Sequence, residues 1–95
     1  MTILEQLQNW YLSHCNDEWE HGFGVKIETI DNPGWSCVIA LSRTPFESSY
    51  FVPIRIERSE NDWLMLSATS TEFKIHCGPG DLEESLAIFL DWVHA

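Results

Sequence analysis

Phe23-Gly24-Val25-Lys26-Ile27-Glu28-Thr29-Ile30-Asp31-Asn32-Pro33-Gly34-Trp35-Ser36-Cys37-Val38-Ile39-Ala40-Leu41 is the stretch that decides the fold. In its first part Phe23, Val25 and Ile27 alternate with Gly24, Lys26 and Glu28, the period of a strand with one wet face. Residues 31–34 then read as a turn, because Pro presets φ for the first central position and Gly accepts positive φ at the next. The returning segment sets Trp35, Cys37, Ile39 and Leu41 on one side, and Val38 and Ala40 make its other side only weakly polar. A β-hairpin is the expected result.

Working outward, residues 42–49 hold Pro45 and small polar residues and are expected to form a loop. Residues 50–58 alternate again, and Pro53 inside them marks an edge position or a bulge. Residues 59–62 make a polar turn, 63–69 a strand, 70–72 another turn and 73–77 a last short strand. The hairpin connections imply an antiparallel meander of about five strands. Phe51, Val38, Leu64 and Leu66 are expected together on its outer face, a group that invites self-association.

Both ends of the chain read as helices. Thr2 and Glu5 have capping-box spacing ahead of Leu4, Leu7, Trp10 and Tyr11, which predicts a helix over residues 2–14. Gly78-Pro79-Gly80 ends the sheet, and Asp81 with Glu84 predicts a capped helix carrying Leu82, Leu86, Phe89 and Val93. The order α-β-β-β-β-β-α predicts a single α+β domain over residues 1–95. Its N-terminal and C-terminal helices pack on one face of the sheet and leave the other face wet.

Fifteen Asp and Glu stand against five Lys and Arg, a formal net charge of −10. Nucleic-acid binding needs clustered cations, whereas Lys26, Arg43, Arg55, Arg58 and Lys74 are scattered among carboxylates. An acidic surface instead speeds encounter with a basic protein, as well as keeping a small domain in solution. Cys15, Cys37 and Cys77 are odd in number and lack CxxC spacing, so a reducing cytoplasm is expected. No apolar run approaches a membrane span, and the first residues lack the basic start of a signal peptide.

Chemistry-bearing patterns are sparse. Cys77 precedes a Gly-rich turn and a helix start, where a thiolate and an anion could share stabilisation. Asp81, Glu83 and Glu84 crowd that turn, while a sulfurtransferase or Cys-dependent phosphatase loop wants basic or neutral donors there. A buried thiol is the expectation. His14 with Cys15, His21, and His76 with Cys77 lack the geometry of a metal site, since neighbours on one strand point to opposite faces. Glu20 beside His21 could form an acid/base pair, but no nucleophile accompanies it. No cofactor is expected.

Trp10, Trp63 and Trp92 fall inside regular elements and are expected in the core. Trp19 and Trp35 border turns beside Asp17, Glu18, Glu20 and Asp31, where an indole can either close an end of the core or anchor a partner.

The run from Trp10 through Trp19-Glu20 and Pro33-Gly34-Trp35 to Ser36 resembles the immunity protein 53 family of bacterial polymorphic toxin systems. Ile56-Glu57-Arg58-Ser59-Glu60-Asn61-Asp62-Trp63 and the closing segment from Leu82-Glu83-Glu84 to Trp92-Val93 are similar too. The resemblance spans nearly the whole chain. It implies a protein that neutralises a cognate toxin, with no toxin-contact residues to carry over. The residues themselves supply the expected contact patch, Asp17, Glu18, Trp19, Glu20, Asp31 and Trp35, its carboxylates steering a basic toxin and its indoles anchoring it. Two other functions stay open at this point: a small enzyme using Cys77 or Glu20 and His21, and a general interaction module.

Overall fold

Thr2 opens the first helix as its spacing with Glu5 requires. In the computed structural model, which describes residues 1–95, Thr2 Oγ1 accepts the Glu5 backbone N–H at 3.0 Å and Glu5 Oε1 accepts that of Thr2 at 3.0 Å. This helix, α1, spans Ile3–His14 and turns Leu7 and Trp10 inward. A second, short helix that periodicity does not announce, α2, spans Trp19–Gly22. Asn16 Oδ1 starts it by accepting the N–H groups of Glu18 at 3.0 Å and Trp19 at 2.9 Å, donors that the helix itself leaves free.

Five strands follow: β1 Val25–Ile30, β2 Gly34–Ala40, β3 Ile54–Ser59, β4 Asp62–Ala68 and β5 Glu72–Cys77, before the closing helix α3 Leu82–Val93. All pair antiparallel, so the α+β class, the five strands and the two terminal helices are as expected. The order across the sheet is β1-β2-β5-β4-β3, which departs from a sequential meander at one connection. After β2 the chain crosses to the far edge, and β3, β4 and β5 then meander back, so that β5 lies beside β2. Burial explains the choice: Phe73, Ile75 and Cys77 of β5 are fully buried and need neighbours on both sides. Pro53 sits just ahead of β3, and that strand is an edge with a bulge between Glu57 and Ser59, as a nearby Pro favours.

The core lies between the helices and the inner face of β2, β5 and β4. Cys37, Ile39, Leu64, Leu66, Phe73, Ile75 and Cys77 meet Trp10, Leu86, Phe89 and Leu90 there. Leu64 and Leu66 therefore belong to the core and not to the outer face. Their register partners Cys77 and Ile75 fix that orientation. Phe51 is also an inner residue, its ring 4.8 Å from Phe73 and 5.4 Å from Trp92. Of the apolar group expected outside, only Val38 remains, flanked in register by Lys26 and Lys74. Trp63 alternates with Leu64 and so stands on the outer face, half-buried, outside the core where the sequence placed it.

Two further expectations change in mechanism. Gly34 has no positive φ; it begins β2, and a Cβ there would run into the carbonyl of Cys77 on the neighbouring strand. Its small size admits the backbone of β5. Asp81 precedes α3 without a side-chain cap. Its Oδ2 instead accepts the Trp63 N–H at 2.9 Å, tying the helix start to β4. No helix is long and apolar enough to cross a membrane.

Candidate functional site

The residues expected to form one contact patch occupy two ends of the β1–β2 hairpin. Asp17 and Glu18 lie on the α1–α2 turn and Trp19 and Glu20 open α2, all before β1 begins. Asp31 and Trp35 lie at the hairpin tip, after β1 ends. The six residues of β1 between them, at about 3.3 Å each, separate the two groups by on the order of 20 Å.

Within the first group the residues divide by role. Trp19 is 2% exposed, and its Nε1 donates to the Ser42 carbonyl at 2.8 Å. The rings of Trp10, Tyr11, His14 and Phe23 surround it at centroid distances of 5.6 to 6.3 Å. It closes the end of the core and presents no surface to a partner. Glu20 clamps the turn: its two carboxylate oxygens accept the N–H groups of Asn16 and Asp17, each at 2.9 Å. Backbone N–H groups, those of Glu20 itself, Asn16 and Asp17, hold its carboxyl below the usual carboxylate range.

Asp17 and Glu18 are left pointing to water. Asp17 sits at φ 73°, the left-handed region that Asp tolerates better than most residues. Glu18 lies 3.9 Å from Arg43 with both side chains largely in solvent, an attraction worth little. At the hairpin tip Asp31 is exposed, while Trp35 is half-buried and its Nε1 donates to the Pro79 carbonyl at 3.0 Å. Trp35 thus ties the tip to the loop before α3.

Beside the acidic turn lies a groove with no direct sign in the sequence. Its volume is about 1090 Å³, and Leu7, Tyr11, Phe23, Val25 and Ile27 line it together with Glu20, His21 and Lys26. The groove runs along β1, an edge strand with no further strand beyond it, where residues of α1 and α2 meet it. Tyr11, Phe23 and Ile27 are 37%, 36% and 40% exposed, a cluster of large apolar side chains rimmed by charge. Alternation marks Phe23 and Ile27 as inward-facing, and the strand order shows that no further strand lies beyond them to complete their cover.

The chemistry of the remaining candidates is quiet. Cys77 is fully enclosed, and burial pushes its thiol up, away from a reactive thiolate. Cys37 behaves alike, pushed up to about 12 by burial and then by Cys77. His76 is exposed on the face opposite Cys77, so the two cannot share a ligand. The low position of the Glu20 carboxyl makes it a weak base for His21 to assist.

The family model described as immunity protein 53 matches residues 4–94. This chain belongs to the immunity protein 53 family. Neither comparison with curated proteins nor comparison with solved structures returns a match. As an immunity protein 53 member, it has the α1–α2 turn, the groove and the hairpin tip all within the matched residues.

Proposed function

We propose that this protein binds a cognate bacterial toxin domain in the cytoplasm and neutralises it by covering the active site or an adjacent surface. Family membership over residues 4–94 is the observation that carries this function. The geometry favours the α1–α2 turn as the contact surface: Asp17 and Glu18 steer a basic toxin, and Tyr11 and Phe23 at the base of the turn supply aromatic area. Glu20 takes part as the clamp that fixes the turn. Asp31 and Trp35 form a separate site at the hairpin tip, which a toxin of ordinary interface width reaches only as a rim contact.

Co-expression with candidate toxin domains from the same genome tests this. The wild-type protein is expected to protect the host, and a Asp17→Asn/Glu18→Gln variant to protect less while melting at the same temperature. Full protection by that variant places the contacts elsewhere, and failure of the wild type to bind or protect removes the function.

A further inference from the structure

The two edges of the sheet are built differently. Edge β3 has Pro53 just ahead of it, a bulge between Glu57 and Ser59, and the charged residues Arg55, Glu57 and Arg58, features that discourage pairing with another chain. Edge β1 is six regular residues with neither Pro, Gly nor bulge, bordered by the exposed Ile27 and Phe23. The Ala40 N–H donates to the Gly24 carbonyl at 2.9 Å, which makes Gly24 and Ala40 a hydrogen-bonded pair. By alternation along the register, Lys26, Glu28 and Ile30 also bond inward to β2, and Val25, Ile27 and Thr29 turn their backbone N–H and C=O groups outward.

We propose that this edge pairs with β1 of a second copy, antiparallel about a two-fold axis at Ile27. The outward groups restrict the register. A ladder must set outward residues opposite outward residues, so its centre falls on a residue and not between two. Two such centres keep most of the strand paired. Centring on Glu28 opposes two Glu28 carboxylates, whereas centring on Ile27 places Lys26 opposite Glu28 and Glu28 opposite Lys26 of the second copy, both in the closer non-hydrogen-bonded positions. The same register stacks Ile27 on its own copy and sets Val25 against Thr29. Neither Lys26 nor Glu28 joins any of the ion pairs within the chain. Like charges thus reject one centre and opposite charges select the other, giving one sheet continuous through both copies.

Sedimentation equilibrium of the purified full chain from micromolar to millimolar concentration tests the pairing. The wild type is expected to form a dimer. Lys26→Glu and Glu28→Lys each turn two attractive pairs into repulsive ones and are expected to weaken self-association roughly 10- to 100-fold. The double variant Lys26→Glu/Glu28→Lys restores the pairs and is expected to return to within about threefold of wild type. Both positions are exposed, so melting temperatures measured at dilutions where the wild type is monomeric should stay unchanged. A wild type that remains monomeric, single variants that dimerise as well as wild type, or a double variant that stays weak overturns the proposal. Single reversals that leave a monomer unaltered but weaken toxin binding overturn it too, and assign the edge to the toxin.

Discussion

The Trp19 indole N–H donates to the carbonyl of Ser42 at 2.8 Å, which pins α2 to the chain leaving β2, across 23 residues of sequence. An aromatic residue ringed by carboxylates in the sequence is therefore a core residue in the fold. Trp19→Ala is expected to cost about 3–5 kcal/mol of stability, the range for removing a buried Trp. Trp19→Phe keeps most of the packing, leaves the Ser42 carbonyl without its donor, and is expected to cost about 1–2 kcal/mol. Urea denaturation measures both.

Asp17 and Glu18 should behave in the opposite manner. Their side chains are exposed, so Asp17→Asn and Glu18→Gln are each expected to change stability by less than about 0.5 kcal/mol. Asn suits the positive φ at position 17 at least as well as Asp. Stopped-flow association with the toxin is expected to slow severalfold in the double variant and to depend less steeply on salt. Unchanged rates would place the steering charge elsewhere.

The glycines give a paired test of backbone approach. Gly34→Ala drives a methyl group into the Cys77 carbonyl, where the neighbour is backbone at the end of the central strand and not a flexible side chain. A loss of about 3 kcal/mol is expected. Gly22→Ala meets nothing within 4 Å and lies in helical backbone, so it should be neutral or stabilising by up to about 1 kcal/mol. Thermal melts of the two variants side by side separate crowding from backbone entropy.

How far this was legible in sequence varies by element. The capping box at Thr2 and the alternation of β1 and β2 are local signals, and each formed as expected. The crossover after β2 was not legible, because alternation says which residues share a face but not which strands are neighbours. Leu64 and Leu66 could not be placed on the core face by alternation, because Trp63 and Met65 make the other side of β4 apolar as well. Trp19 is instructive: its neighbours in sequence are charged, while its neighbours in space, Trp10, Tyr11, His14 and Phe23, come mostly from α1 and the start of the sheet. The groove needed both the strand order and the placement of α1 and α2 against β1. The segment of α2 is too short for periodicity to show, and only the turn-forming Asn16 ahead of it, whose side chain accepts the Glu18 and Trp19 N–H groups, hints at it.

His14 carries the pH dependence that the core imposes. Its ring packs against Trp10 at 4.6 Å and Trp19 at 5.6 Å, and burial holds its pKa below the ordinary 6.5. The unfolded chain then binds the proton more readily than the folded one. Its contribution to stability is present above the unfolded value of about 6.5 and lost as pH falls from there through the folded pKa. Melting temperature is expected to decline with acidification from near neutrality, and His14→Gln should flatten that part of the profile. An identical profile in the variant would assign the decline to another group.

Neutralisation of a toxin by direct binding is the function proposed for this immunity protein 53 member. The most direct measurement is titration calorimetry of the purified protein against an inactivated form of the toxin domain that co-expression identifies. A saturable heat with fixed stoichiometry, weakened in the Asp17→Asn/Glu18→Gln variant, is the predicted result. No heat at any salt concentration, from two proteins each shown to be folded, would contradict it.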